Sequence, residues 1–145
     1  MIQDLFDTGA LPAAERLVQF TSARHKVLTN NIANLNQPFY KPRDLDPTAF
    51  QEALGAAIDD RRQSASPTRG PLQLHDTMDV RFQSDRIEMT ETPSNENILF
   101  HDQNNRDLER IMQRLAENTI AHQLGVELVR NQFEVMRMAI RERLA

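Results

Sequence analysis

Histidine is the side chain in this sequence with the widest catalytic and metal-binding repertoire, and the chain has four of them. No two lie four residues apart, the spacing that places two imidazoles on one helix face as metal ligands. Cysteine does not occur, which removes thiolate ligands, disulfides and thiol nucleophiles. The sequence therefore predicts no metal site. The histidines are His25, His75, His101 and His122.

Other residue patterns that carry out chemistry are equally weak. The neighbouring carboxylates Asp59 and Asp60 lie in a polar stretch, whereas acid–base catalysis needs carboxylates held rigidly in a pocket. Only four glycines occur and none cluster, so no phosphate-binding loop is predicted. No serine has the surroundings of a nucleophile elbow. We therefore expect no enzyme, no catalytic residue, no cofactor and no small-molecule substrate.

Charge and hydropathy limit the remaining classes of function. The net charge is −4 and no long basic run occurs, so we expect no nucleic-acid partner. The first residues carry Asp4 and Asp7 but no lysine or arginine, which is unlike a cleaved signal peptide. No stretch approaches the length and apolarity of a membrane span.

Apolar residues concentrate at the two ends of the chain, at helical spacing. From near Pro12 to about Asn36 they alternate steps of three and four, which is typical of a coiled-coil seam. A second line beside this seam indicates a helix with several neighbours. The seam holds Leu11, Ala14, Val18, Thr21, His25, Leu28, Ile32 and Leu35, and the second line holds Leu17, Phe20, Val27, Asn31 and Asn34.

A longer helix is predicted from about Gln103 to Leu144. At 1.5 Å per residue it would be roughly 60 Å long, more than a small domain covers by itself, which favours packing against other subunits. Its seam slips once, between Leu115 and Val126. We interpret His25, His122 and Asn118 as polar seam positions that set register. The seam holds Leu108, Ile111, Leu115, Asn118, His122, Val126, Val129, Phe133, Met136 and Ile140.

The middle of the chain holds shorter elements. A helix is predicted over residues 48–58, with Phe50, Leu54 and Ala57 on one side, followed by a mobile loop over 59–76. Alternating apolar residues then predict a β-hairpin across residues 83–86. Met78, Val80 and Phe82 lie on one strand, and Ile87 and Met89 lie on the other.

Together these elements predict a mainly α fold. Its long N- and C-terminal helices form an antiparallel coiled-coil-like inner domain, and a small irregular middle segment contains the short β-hairpin. The three parts are residues 1–36, 37–100 and 101–145. Pairing Leu11 with Leu144 at equal rise places His122 opposite Ala33 and Asn118 opposite Gln37. The asparagines at the end of the first helix would then fix the register of packing.

Residues 24–34 read R-H-K-V-L-T-N-N-I-A-N, and Pro38, Tyr40 and Lys41 follow. This stretch resembles the N-terminal signature of bacterial flagellar axial proteins, the rod, hook and hook-associated subunits. The run R-D-L-D at 43–46, the short chain and the C-terminal stretches 106–118 and 133–140 make it most similar to the FlgB family of basal-body rod proteins, with the FlgC family as the sibling alternative. The residues assigned to the family motif or to helix packing are Arg24, Val27, Leu28, Asn30, Asn31, Ile32, Ala33, Asn34, Pro38, Tyr40, Lys41, Leu115, Asn118, His122, Val126, Val129, Phe133, Met136 and Ile140.

The resemblance implies a structural subunit of the proximal rod, the driveshaft that carries torque across the periplasm. Such subunits stack their terminal helices around a channel. They are exported without a cleaved signal by the flagellar type III export apparatus. The implied partners are that apparatus, other rod subunits and the proteins of the junction between rod and inner-membrane ring. A free coiled-coil adaptor or chaperone that forms a discrete oligomer is the alternative that the helices alone leave open.

The sequence departs from the family at one turn. The family has Thr-Pro-Gly-Tyr or Thr-Pro-Gly-Phe where this chain has Gln37-Pro38-Phe39-Tyr40. Glycine supplies the positive φ of a type II turn and phenylalanine adopts it only at a cost, so we expect a type I or open turn. We also expect the terminal helices to be partly disordered in an isolated monomer, because they have little to bury against.

Overall fold

The computed structural model describes residues 9–67, 72–74, 80–82, 87–89, 92–93 and 107–142. Within these ranges the long terminal helices pack against each other and short strands lie between them, so the predicted mainly α fold is confirmed. No described helix combines the length and apolarity that crossing a membrane requires. The helices are α1 (Leu11–Ala33), α2 (Pro47–Gln63) and α3 (Leu108–Glu142), and the strands are β1 (Arg43–Asp44), β2 (Val80–Phe82), β3 (Ile87–Met89) and β4 (Thr92–Pro93).

Asparagine and aspartate determine where the terminal helices stop and start. After Ala33, both the backbone and the side-chain N–H of Asn34 donate to the carbonyl of Asn30, at 3.1 and 2.8 Å. This closes α1 three residues before the predicted end, because the amide offers the last carbonyl a local partner. Asp107 accepts from the backbone of Arg110 at 3.1 Å and caps the start of α3. The predicted start of that helix at about Gln103 is therefore wrong, since Asp107 is not helical and the helix begins at Leu108.

Helix α2 is longer than predicted. Asp46 caps it by accepting from the backbone of Thr48 at 2.8 Å, and the helix continues to Gln63. The prediction of a loop beginning at 59 is therefore wrong for residues 59–63. The charged residues there favoured a loop in the sequence, but residues 59–63 contain neither glycine nor proline, so nothing in that stretch breaks the helix. The predicted inward face is confirmed, since Phe50 and Ala57 are buried and Leu54 packs against the core.

The short strands form two antiparallel pairs. Val80 pairs with Met89 and Phe82 with Ile87, which confirms the predicted hairpin. Its turn over 83–86 and Met78 lie outside the described residues. The second pair joins Arg43 to Pro93, so β4 returns to the end of α1.

Helix α1 packs on two sides, as its broad apolar stripe predicts. On one side the ring of Phe20 stacks on that of Phe50, with centroids 4.1 Å apart and planes 7° from parallel. Leu45 completes this buried cluster. The other side of α1 faces α3, where Leu11, Ala14 and Leu28 are buried. The middle segment therefore contributes a real part of the core.

The register of α1 on α3 differs from the one predicted. Asn118 donates to the carbonyl of Thr21 at 2.8 Å, and His122 Nδ1 lies 2.9 Å from Thr21 Oγ1. Placing these residues opposite Gln37 and Ala33 is therefore wrong by roughly four helical turns. The prediction assumed that the helices end together, whereas α3 extends past the start of α1.

A glycine allows the two helices to approach at this register. A β-carbon on Gly125 would lie 2.9 Å from Val18 Cγ2 and 3.4 Å from Leu17 Cδ2. Valine is stiff at χ1, so its methyl group cannot move aside freely. Gly125 is buried in α3 and is a point of close approach between the two helices.

Two glycine-to-alanine changes test this contact against a control within the chain. At Gly55 in α2 a β-carbon meets nothing within 4 Å, so Gly55→Ala should raise the free energy of unfolding by about 0.5–1 kcal/mol. Gly125→Ala gains the same helix propensity but forces Val18 aside. It should be less stable than Gly55→Ala by at least about 1 kcal/mol. Urea unfolding followed by circular dichroism measures both, and equal stabilities would contradict the close contact.

Candidate functional site

The polar groups between α1 and α3 lie within one turn of each other. The hydroxyl of Thr21 can donate its proton to the carbonyl of Leu17, one turn earlier in α1, at 2.8 Å. The ring N–H of His122 can then donate to Thr21 Oγ1. Asn118 is 2% exposed, and its Oδ1 has no partner among the described residues. These contacts confirm Asn118 and His122 as seam positions. His25 is exposed, so its predicted seam role is wrong.

Asn31 holds the returning chain against α1. Its amide nitrogen donates to the carbonyl of Arg43 at 2.6 Å, and its Oδ1 accepts from the backbone N–H of Arg43 at 3.1 Å. The hydroxyl of Tyr40 donates to the same oxygen at 3.0 Å. The amide thus pairs with both backbone groups of Arg43, as a neighbouring strand would. Asn31 is 2% exposed, so little water is available to hydrogen bond with the backbone of Arg43 in its place.

The remaining asparagines act at the helix end. Asn34 Nδ2 donates to Asn30 Oδ1 at 3.0 Å as well as to its carbonyl, and Asn36 is exposed. None of these contacts reaches α3. The predicted packing of the asparagine cluster against the polar part of α3 is therefore wrong, because register places Thr21 there instead.

A nearly buried ion pair joins α1 to β1 and α3. Arg24 Nε and Nη2 donate to the two carboxylate oxygens of Asp44 at 2.9 and 2.8 Å, in bidentate geometry. Their side chains are 8% and 15% exposed. Arg114 of α3 approaches the same carboxylate at 3.5 Å, and the backbone of Leu45 donates to it at 2.8 Å. One carboxylate thereby connects three elements.

The turn that follows α1 contains a strained residue. Phe39 has a φ of +61° and is the sole non-glycine residue with positive φ in the described part of the chain. The backbone N–H of Tyr40 donates to the carbonyl of Gln37 at 3.3 Å. Pro38 at the second position and positive φ at the third are the features of a type II turn. The expectation of a type I or open turn is wrong, because the hydrogen bond closes the turn and the φ of Phe39 is positive.

The family-motif and packing residues divide by burial. The buried ones are Arg24, Leu28, Asn31 and Asn118. The half-buried ones are Val27, Ile32, Asn34, Tyr40, Leu115, His122, Val126, Val129 and Met136. The exposed ones are Asn30, Ala33, Pro38, Lys41, Phe133 and Ile140. The structure therefore brings Arg24, Asn31 and Tyr40 together at the helix junction, and Asn118 and His122 at the seam.

Helix α3 also carries apolar side chains on a side that does not face α1. At 100° per residue these side chains fall within an arc of about 80°, centred about 120° around the helix from Asn118. We call them the outer stripe. It begins at Ile120, which is 68% exposed, and no side chain in it is less than 40% exposed. Its members are Ile120, Leu124, Leu128, Val135 and Met138.

The sequence does not indicate the contacts of four residues on which this arrangement depends. Asp44 and Arg114 escaped because nothing in the sequence pairs charges 70 residues apart. Gly125 had a visible signal, a lone glycine inside a helical stretch, which usually has a packing reason. Thr21 was placed on the seam but only as an interruption of it.

The sequence matches no protein-family model and no curated protein. What the chain does is therefore inferred from its own residues and contacts.

The ion pair at the helix junction gives the first prediction for this site. Asp44→Leu leaves the Arg24 guanidinium nearly buried without its counter-charge, so the free energy of unfolding should fall by about 3 kcal/mol. The double variant Arg24→Met with Asp44→Leu should lose less than Asp44→Leu alone, since the nearly buried guanidinium of Arg24 is then absent. Urea unfolding measures both.

The exposed pair Asp59–Arg62, at 3.2 Å, is the control for these changes. Asp59→Leu should change stability by less than about 0.5 kcal/mol, because solvent screens exposed pairs. A double variant as unstable as the sum of its single changes would contradict the assigned coupling.

Asn31 and its exposed neighbour Asn30 give a second prediction. Asn31→Ala removes the partner of both backbone groups of Arg43 and should lower the free energy of unfolding by about 2 kcal/mol. Asn30→Ala should stay within about 0.5 kcal/mol of the original chain. Tyr40 is the sole tyrosine and tryptophan is absent, so near-ultraviolet absorption reports directly on the junction. The tyrosine signal should shift for Asn31→Ala only, and a shift for both variants would refute this role.

Proposed function

We propose that the chain is a structural subunit of the bacterial flagellar proximal rod, of the FlgB type, which assembles side by side with other rod subunits. The outer stripe of α3 is the observation that carries the proposal. It supports a subunit whose longest helix is buried on one side within the chain and on another side by neighbours.

The amount of exposed apolar surface supports burial between subunits. Five large apolar side chains of the outer stripe face solvent, in addition to those that α3 presents to α1. Contiguous apolar surface of this kind is characteristic of interaction sites rather than of free monomer surfaces. Burying one leucine contributes about 1.5–3 kcal/mol, so even part of this stripe supplies enough free energy for association.

The motif residues support the proposal in a different way. Arg24, Asn31 and Tyr40 bind within the chain, at the junction of α1, β1 and the turn. We infer that this part of the flagellar signature maintains the shape of the subunit, while α3 provides much of the contact between subunits. A rod of repeated subunits needs a constant subunit shape as well as a contact between subunits, since small errors of shape accumulate along a helical assembly.

The proposed role carries with it the partners and place that the resemblance implies. The partners are other rod subunits, proteins of the junction between rod and inner-membrane ring, and the flagellar type III export apparatus. The place is the periplasmic rod of the basal body. The proposal includes no catalytic activity, cofactor, nucleic acid or small-molecule substrate. A FlgC-type rod subunit and a coiled-coil adaptor of fixed oligomeric state are the alternatives that the tests distinguish.

The outer stripe should control self-association. Leu124→Lys places a charge in its centre and should weaken self-association at least about tenfold, through lost apolar burial and the cost of desolvating the ammonium. Met112→Lys is the control, because Met112 is 52% exposed but lies outside the stripe. Sedimentation velocity over a concentration series measures both. A discrete oligomer at every concentration would indicate an adaptor and contradict the rod.

A genetic test addresses the same proposal in the cell. Deleting the gene in its own organism should abolish swimming. The original chain should restore swimming, and Leu124→Lys should not. Normal swimming of the deletion strain would refute the proposal. Restoration of a strain that lacks only its FlgC subunit would instead assign the chain to the sibling family.

A further inference from the structure

Phe39 occupies a conformation that costs free energy, yet its ring faces solvent. Its φ of +61° is one that a bulky side chain rarely adopts, and the residue is 72% exposed. Burial within the chain therefore does not compensate for the strain. Residues held in such conformations concentrate at binding surfaces, where the strain fixes the direction of a side chain.

A basic cleft surrounds this ring. It runs between the turn and the side of α1 that faces away from α3, and includes a cavity of about 460 Å³ lined by Val27, Asn30, Phe39 and their neighbours. An adjoining cavity shares Val27 and Asn30 with it, and the described side chains that line the two include three basic ones and no acidic one. The basic residues are Lys26, Lys41 and Arg43, all of them exposed. We call this surface the cationic cleft.

The outer stripe of α3 has the complementary character. Glu117 lies in line with Leu124, and Glu127 lies along one edge of the stripe, about 60° around the helix from Leu124. Both carboxylates are exposed. The stripe is thus apolar with an acidic margin, and the cleft is aromatic and apolar with a basic margin.

One chain cannot join its own two surfaces. Asn30 lies on the side of α1 opposite Thr21, which faces α3, so the cleft points away from α3. The outer stripe likewise points away from the contact with α1. The two surfaces therefore lie on opposite sides of the helix pair, where each is available to a different copy.

We propose that the cationic cleft of one copy receives the acid-edged outer stripe of a second copy, with Phe39 packing among Ile120, Leu124 and Leu128. The inference rests on the proposed function and names the contact by which the subunits would join. Because the two surfaces differ, the contact is head-to-tail and continues from copy to copy. Opposite charges orient the encounter, and the ring contributes the apolar burial.

Charge reversal on each surface tests the contact. The cleft variant carries Lys26→Glu and Lys41→Glu, and the stripe variant carries Glu117→Lys and Glu127→Lys. Each variant alone should self-associate at least about tenfold more weakly than the original chain, because like charges then face each other. An equimolar mixture should recover association to within about threefold, since every contact again joins opposite charges. Sedimentation velocity with the full-length chains measures all three, and Arg62→Glu at the end of α2 is the control.

Phe39→Gly removes the ring without destabilising the folded subunit, so it tests the contribution of the ring to self-association alone. Glycine adopts positive φ without strain, so the midpoint of thermal unfolding should stay the same or rise. Self-association should nevertheless weaken at least about tenfold, through loss of the buried ring. Phe39→Ala, which keeps the strain and loses the ring, should weaken association equally.

The outcomes distinguish this inference from the function on which it rests. If the original chain self-associates through Leu124 but the charge-reversed variants associate as it does, the proposed contact is wrong and the proposed function stands. If the variants lose binding only to a sibling rod subunit, a second copy is the wrong occupant. If the original chain neither self-associates at any concentration nor binds sibling rod subunits, the proposed contact and the proposed function are both overturned.

Discussion

Gly125 lets α1 and α3 approach so closely that Thr21 can hydrogen bond to Asn118 across the interface. Apolar seams of this kind tolerate sliding by a heptad, because leucine, valine and isoleucine pack acceptably at several registers. A buried amide and a missing β-carbon remove that freedom, since both must meet their partners at once. The exposed surfaces of the molecule follow from this register. It decides which turns of α3 lie against α1 and which extend past its start, while the seam residues of α3 decide which of its sides is buried and which carries the outer stripe.

The sequence predicts the helices well and their register poorly, for a physical reason. Helix formation depends on local spacing, so Leu108 to Ile140 reads as one helix without reference to the rest of the chain. Register depends on a few contacts between distant residues. The end-to-end estimate gave no weight to Gly125, although a helix-interior glycine costs about 1 kcal/mol and so indicates a packing requirement. The sequence predicts too short an α2, because the charged residues after Ile58 are typical of a loop as well as of an exposed helix end.

The asparagine-rich end of α1 shows how much of the candidate site a motif can reveal. The resemblance assigns Asn30, Asn31 and Asn34 to the family motif, but it does not indicate the hydrogen-bond partner of each. The structure separates them by burial. Asn31 is enclosed and replaces a strand partner for Arg43, whereas Asn34 is half-buried and closes the helix. Spacing cannot make that distinction, because it depends on where residues 40–43 return. That path is in turn fixed by the Arg24–Asp44 ion pair, to which no local pattern points.

Phe39 lies in the chain directly beside these contacts, between the end of α1 and Tyr40. It lies at the third position of a type II turn, and Asn31 holds Tyr40 and Arg43, which follow that turn, by hydrogen bonds. Glycine would relieve the strain at once, yet the chain has phenylalanine there and exposes the ring. A rigid turn aims an exposed ring with little loss of conformational entropy on binding, because the backbone has already been ordered by folding. The same ion pair and amide that complete the subunit therefore also orient the ring that we assign to the next copy, so subunit folding and subunit contact share one set of residues.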